Sequence, residues 1–284
     1  SSVYPPEQIH ERGADNLSNL ISHGFDTVSM SLNPQVWKKM MRNAFFRFAN
    51  QAKSTELALY AIPIHVAIAY KIPLIFLGEN PLYTVGQQEG KTEGGSARGM
   101  QYSNTLRGGN PDPLLSEDIS LRDVYFYRYP SDDEIDYAKL RVVYLGYYIR
   151  DWSNNKNAKF AIERGLQTRC EPAEETGDTT DFSSLDEEFK IVNQMIKHVK
   201  FGYGTVTEQL LISVNDGLMS REEAFEKVKK YDGKCHQRYI DMFCEYLNIT
   251  ETEFWQVVEG SRGKHVWQKN KQGEWGLIVD NPDE

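Results

Sequence analysis

An α/β fold over residues 1–165 followed by a helical region over 166–284 is what this sequence predicts, and three observations carry the prediction. The apolar run from Leu57 to Leu77 changes period partway. Leu57, Tyr60, Ala61, Ile64, Ile68 and Ala69 recur at helical spacing, and Leu74-Ile75-Phe76-Leu77 is then a continuous apolar strand of the kind buried in a parallel sheet. Strand-like segments also lie on either side of this unit, at 27–31 and 140–148, separated by helical patterns. From Ser184 onward the apolar spacing is helical only.

The elements follow in order. Ser1-Ser2-Val3 reads as the tail of a strand, so the sheet is expected to be incomplete at its N-terminal side. Glu7 to His23 carries Leu17, Leu20 and Ile21 on one face and stops at Gly24. Thr27 to Ser31 is a strand, and Asn33-Pro34 then caps a helix bearing Val36, Trp37, Met40, Met41, Ala44, Phe45 and Phe48. Thr55 and Glu56 cap the helix of the apolar run. Pro63, His65, Lys71 and Pro73 interrupt that run, which argues against a membrane span. Glycines among polar residues between Gly86 and Pro113 predict a mobile loop over about 84–118, read either as an active-site lid or as disorder. Ser131 with Glu134 opens a short helix before the strand at Leu140 to Tyr148. Further capping boxes, Ser220 with Glu223 and Thr250 with Glu253, open two of the C-terminal helices. Val266-Trp267 and Trp275 to Val279 predict a terminal hairpin.

Composition narrows the function classes. A formal charge of −9 argues against a general attraction to nucleic acid or to an anionic membrane. The three cysteines, Cys170, Cys235 and Cys244, lack the paired spacings of a zinc site, and an odd count suits a reducing, cytoplasmic compartment. Cys235-His236 with Cys244 lacks a fourth ligand, so no metal site is read from this segment.

Gly78-Glu79-Asn80-Pro81 follows the buried strand, and ligands of open α/β sheets bind beyond the strands' carboxyl ends. Glu79 and Asn80 are therefore candidates to orient a ribose, a substrate hydroxyl or a magnesium ion, the other reading being that they cap the following loop. Lys53-Ser54-Thr55 stands at a helix start, where backbone donors and the helix dipole favour an anion, or where the hydroxyls simply cap. Lys200-Phe201-Gly202-Tyr203-Gly204 joins two helices; its glycines could admit a ligand near Lys200, but from spacing alone it reads as a corner. His65 reads as a core histidine, and the aromatic cluster from Tyr144 to Trp152 as a strand edge and loop anchored in the core.

Taken together, Trp37-Lys38-Lys39-Met40-Met41-Arg42, Lys53-Ser54-Thr55-Glu56, Tyr70-Lys71-Ile72-Pro73 with Gly78-Glu79-Asn80-Pro81, Lys200-Phe201-Gly202-Tyr203-Gly204, Ser220-Arg221-Glu222-Glu223-Ala224 and Tyr231-Asp232-Gly233-Lys234-Cys235 resemble the N-acetyl sugar amidotransferases. These belong to the PP-loop ATP pyrophosphatases and act in lipopolysaccharide O-antigen and flagellin-glycan biosynthesis. The resemblance implies an adenine-nucleotide-hydrolase-like (HUP/PP-loop) parallel-sheet domain. It also implies an ATP-dependent reaction that turns an acetamido group of a nucleotide-linked sugar into an acetamidino group. Ammonia would come from a partner glutaminase, with a cyclase-like subunit as a further partner. ATP would adenylate the amide oxygen, ammonia would attack the activated carbon, and AMP would leave with the oxygen. Glu79 and Asn80 would be catalytic, while Gly78, Lys53, Ser54, Thr55, Lys200, Gly202 and Gly204 would bind substrate or ATP with Mg2+.

The chain departs from the family pattern in lacking the Ser-Gly-Gly-x-Asp-Ser phosphate loop and the Cys-x-x-Cys zinc ribbon, both of which are expected to precede Ser1. Zinc is expected only in such a preceding segment. Ala52 stands where some members carry cysteine, so thiol chemistry there is not implied. Two other readings differ in class: a non-catalytic sugar-nucleotide-binding scaffold, and a PP-loop tRNA-modifying enzyme, which the acidic composition and Ala52 oppose.

Overall fold

The computed structural model describes residues 2–3, 11–79, 97–101 and 109–278. They form two compact units, Ser1–Ala44 with Gln51–Gln167, and Phe45–Asn50 with Thr168–Glu284.

In the first unit β1 (Ser2–Val3) pairs in parallel with β2 (Ser29–Met30). Helix α1 (Glu11–Ser22) lies between them in sequence, and its Asn16 and Asn19 side chains donate to the carbonyls of Gln167 and Arg164. Helix α2 (Pro34–Phe48) starts as the Asn33-Pro34 pair predicts: the Asn33 carboxamide oxygen accepts the Gln35 N–H at 2.9 Å. Trp37, Met40, Met41 and Ala44 are fully packed on its inner face. Helix α3 (Ala52–Ala69) runs through Pro63 and buries Leu57, Ala61 and Ile64. No helix among the described residues is long and apolar enough to cross a membrane.

Strand β3 (Leu74–Leu77) pairs in parallel with β4 (Arg141–Tyr144), from Leu74 opposite Arg141 to Leu77 opposite Tyr144. One face of β3 is half-buried. Ile75 and Leu77 pack against a core of Ile64, Ala67, Tyr129, Ile135, Leu140 and Val142. Its other face corrects the expectation of a strand buried on both sides, because Leu74 and Phe76 are 38% and 58% exposed. A strand's alternate side chains point to opposite faces, and this two-stranded sheet is covered on one. The predicted strand at 140–148 also ends early: the Gly146 N–H donates to the Glu79 carbonyl at 3.2 Å, and Leu145–Tyr147 coils into a 3-10 turn.

Within the predicted loop, 80–96 and 102–108 lie outside the described residues. Its described parts pack. Helix α4 (Ala97–Met100) buries Ala97 and Met100, and Leu114 is buried in a 3-10 turn. Helix α5 (Asp132–Ala138) carries the predicted Ser131/Glu134 capping box, and α6 (Asn154–Ile162) follows β4.

The second unit is helical up to its hairpin. After the short α7 (Ala173–Thr176) come α8 (Phe189–Phe201), α9 (Thr205–Asn215), α10 (Arg221–Tyr231), α11 (Gln237–Leu247) and α12 (Glu251–Gly260). Rings of Phe45, Phe243 and Phe254 form one core, Phe45 stacking on Phe254 with centroids 5.6 Å apart. A smaller cluster of Val206, Leu210 and Ala224 joins α9 to α10. The predicted hairpin is β5 (Trp267–Lys269) with β6 (Trp275–Leu277), antiparallel.

Candidate functional site

The carboxyl end of β3 places Gly78 and Glu79 as the sequence predicts; Asn80 lies outside the described residues. Two neighbours fix this end of the strand. The Trp152 indole N–H donates to the Gly78 carbonyl at 2.9 Å, and the Tyr60 hydroxyl, from α3, donates to Glu79 Oε1 at 3.3 Å. Burial pushes the Glu79 carboxyl above its ordinary value, and the Tyr60 hydrogen bond pulls against that shift. Burial, with the Glu79 and Tyr144 side chains next in effect, pushes the Tyr60 hydroxyl far up, so Tyr60 stays a proton donor. A Cβ at Gly78 would meet nothing within 4 Å among the described residues.

Mg2+ is held in many enzymes by one or two carboxylates completed by substrate phosphates, and Glu79 offers a carboxylate of that kind. Among the described residues no group of three or more His, Cys, Asp or Glu could hold a metal. The cysteines are free, and burial raises Cys235 to about 12 and Cys244 to about 11, which disfavours the thiolates that zinc requires.

Lys53, Ser54 and Thr55 lie inside the first turn of α3, not before it, because the helix begins at Ala52 behind Gln51 in helical conformation. Ser54 is buried and its hydroxyl donates to the Gln51 carbonyl at 3.1 Å, so it serves the helix itself. The Thr55 hydroxyl oxygen is buried with no hydrogen-bond partner among the described residues.

Lys200, Gly202 and Gly204 belong to the second unit. Lys200 Nζ donates to the Phe48 carbonyl at 2.8 Å, a cation at the C-terminal end of α2, and burial lowers its pKa. Gly202 ends α8 in the left-handed region at φ 77°, where a side chain would also press on Leu277. Gly204 admits a carboxylate. A Cβ there would lie 2.6 Å from Asp232 Oδ1.

Asp232 is the residue that sequence reasoning missed. Its buried carboxylate accepts the Gly204 N–H at 2.8 Å, the Val206 N–H at 3.1 Å and the Thr207 hydroxyl at 2.6 Å, capping α9 from a position after α10. Burial alone would raise Asp232; His198, the Thr207 hydroxyl and the Gly204 N–H outweigh it and hold the carboxyl below its ordinary value. No local pattern announces a cap supplied from 28 residues away. His198 Nδ1 stands 3.8 Å from Asp232 Oδ2, too far for a hydrogen bond. Both line a cavity of about 850 Å³ between α9, α10 and the hairpin.

A family model described as "LPS biosynthesis protein WbpG-like, C-terminal domain" matches residues 176–280. The matched stretch lies within the second unit and contains the Lys200 to Gly204 turn, Asp232 and the cavity. No curated protein matches the chain. Over those residues the chain is similar to a family of lipopolysaccharide-biosynthesis proteins.

Proposed function

We propose that the protein is an ATP-dependent amidotransferase of lipopolysaccharide biosynthesis, converting an acetamido group of a nucleotide-linked N-acetyl sugar to an acetamidino group. The observation that carries this reading is the combination of a parallel strand, Leu74–Leu77, that leads into Glu79 with the WbpG-like match over 176–280. The first unit is, on this reading, a PP-loop-type domain.

An amide oxygen is a poor leaving group, so it must be activated before nitrogen can replace it. The amide oxygen attacks the α-phosphorus of ATP and pyrophosphate leaves. Ammonia from a glutaminase partner adds to the imidate carbon and loses a proton, and AMP departs with the oxygen. Glu79 orients substrate, or Mg2+ carried on its phosphates, while Tyr60 fixes the carboxylate rotamer. The α3 start with Lys53 supplies positive potential for anionic groups.

The test is AMP and pyrophosphate release that requires both ammonia and a diacetamido sugar nucleotide. Glu79→Gln is expected to abolish turnover with an unchanged urea midpoint. A Glu79→Gln protein that turns over at the wild-type rate removes Glu79 from the site, and absence of AMP release with every such sugar overturns the activity.

A further inference from the structure

Only residues of the second unit line its cavity, and its walls are chemically distinctive. Trp267 and Trp275 from the hairpin, Tyr203 from the turn after α8 and Phe225 from α10 present aromatic surface. Tyr203, Phe225 and Trp275 are each more than 40% exposed, a concentration of apolar rings that water alone does not favour. The polar groups are few. Asp232 is the one carboxylate in the lining, and its oxygens are already engaged by Gly204, Val206 and Thr207.

The free charges are positive. Arg221 and Lys229 line the same cavity, eight residues apart on one face of α10, and neither has an ion-pair partner among the described residues. Lys229 sits 4.4 Å over the Phe225 ring. In a chain of net charge −9, two cations against one already engaged carboxylate in a ring-lined cavity are a local reversal of sign. A volume of about 850 Å³ suits a ligand of several hundred daltons.

Aromatic walls take a base or sugar face, and paired cations take phosphates. We infer that this cavity binds the nucleotide-linked sugar, with Arg221 and Lys229 on its diphosphate and the base or sugar stacked on the rings. The inference rests on the proposed activity for the identity of the ligand. ATP shares the nucleoside diphosphate, so the experiment must separate the two.

UDP-N-acetylglucosamine is titrated into the full chain while tryptophan fluorescence is followed, since Trp267 and Trp275 line the cavity. Saturable quenching is expected, with at least about a tenfold weaker affinity in the double variant Arg221→Ala/Lys229→Ala, because each charged hydrogen bond lost is worth a substantial factor. Both residues are exposed, and an unchanged helical circular dichroism spectrum verifies that the variant is folded. Wild-type affinity in the double variant, no binding by the wild type, or tighter ATP binding that the same double variant abolishes would each overturn the assignment. AMP release on the same proteins separates the two claims. If the probe binds through Arg221 and Lys229 yet no AMP forms with any diacetamido sugar nucleotide, the cavity assignment stands and the amidotransferase activity falls. If AMP forms and the double variant binds and reacts as the wild type does, the activity stands and the cavity assignment falls.

Discussion

Asp232 reaches across 28 residues to accept the backbone N–H of Gly204, and that bond at 2.8 Å fixes the turn between α8 and α9. A helix start leaves backbone donors without intrahelical partners, and here a carboxylate from outside the helix meets two of them. Gly204 is required by the closeness of that approach. Gly204→Ala would place a Cβ 2.6 Å from Asp232 Oδ1, and the carboxylate cannot retreat without giving up its N–H partners. The expected cost is about 1–3 kcal/mol, read as a lower urea midpoint with an unchanged slope.

Asp232→Asn tests the same cap through pH. The carboxyl titrates below its ordinary value in the folded chain, so its contribution to stability is present above the unfolded carboxylate range and is lost as pH falls through the folded value. At pH 7 the asparagine variant should be less stable by about 1–3 kcal/mol, since a charged acceptor of two N–H groups and a hydroxyl is replaced by a neutral one. The difference should shrink toward zero in acid. Equal gaps at pH 7 and at pH 3, measured by urea unfolding, would show that the charge is not what stabilises the turn.

Lys200 gives a third test, on the other side of the same turn. Its ammonium donates to the carbonyl of Phe48, so Lys200→Met removes a cation and a hydrogen bond from the end of α2. A loss of about 0.5–2 kcal/mol is expected by thermal unfolding. A full-strength melting temperature in Lys200→Met would mean that the Phe48 contact contributes nothing.

Local chemistry made much of this fold legible. The capping boxes at Ser131, Ser220 and Thr250 all form with both reciprocal hydrogen bonds, because each is complete within four residues. His65, read from the sequence as a core histidine, is only half-buried. It lies against Tyr125 and Phe126 and bonds the Arg128 carbonyl, with burial lowering its pKa. Of the aromatic cluster from Tyr144 to Trp152, Tyr144 and Trp152 are buried, Trp152 donating to the Gly78 carbonyl, whereas Tyr147 and Tyr148 are exposed. What stayed hidden depends on neighbours distant in sequence. The apolar run Leu74 to Leu77 cannot reveal that only one of its faces is covered, since both faces carry apolar residues. Helix α6 escaped notice because Ala158 is its one buried residue and its Asn- and Lys-rich sequence has no apolar stripe. The cavity assembles from α8, α9, α10 and the hairpin, and no single segment contains its pattern.

Tyr60 and Glu79 provide the sharpest functional test. Burial raises the Glu79 carboxyl while the hydrogen bond from Tyr60 draws it back, so Tyr60→Phe removes the lowering influence and Glu79 should titrate higher still. If Glu79 acts as a carboxylate, the rate of AMP formation falls as pH drops through its pKa, and in Tyr60→Phe that acid limb should move to higher pH. The plateau rate at alkaline pH should change less than the limb position, because the carboxylate is fully ionised there in both proteins. A pH–rate profile of Tyr60→Phe that superimposes on the wild type would dissociate Glu79 from the reaction, whatever its place at the end of β3.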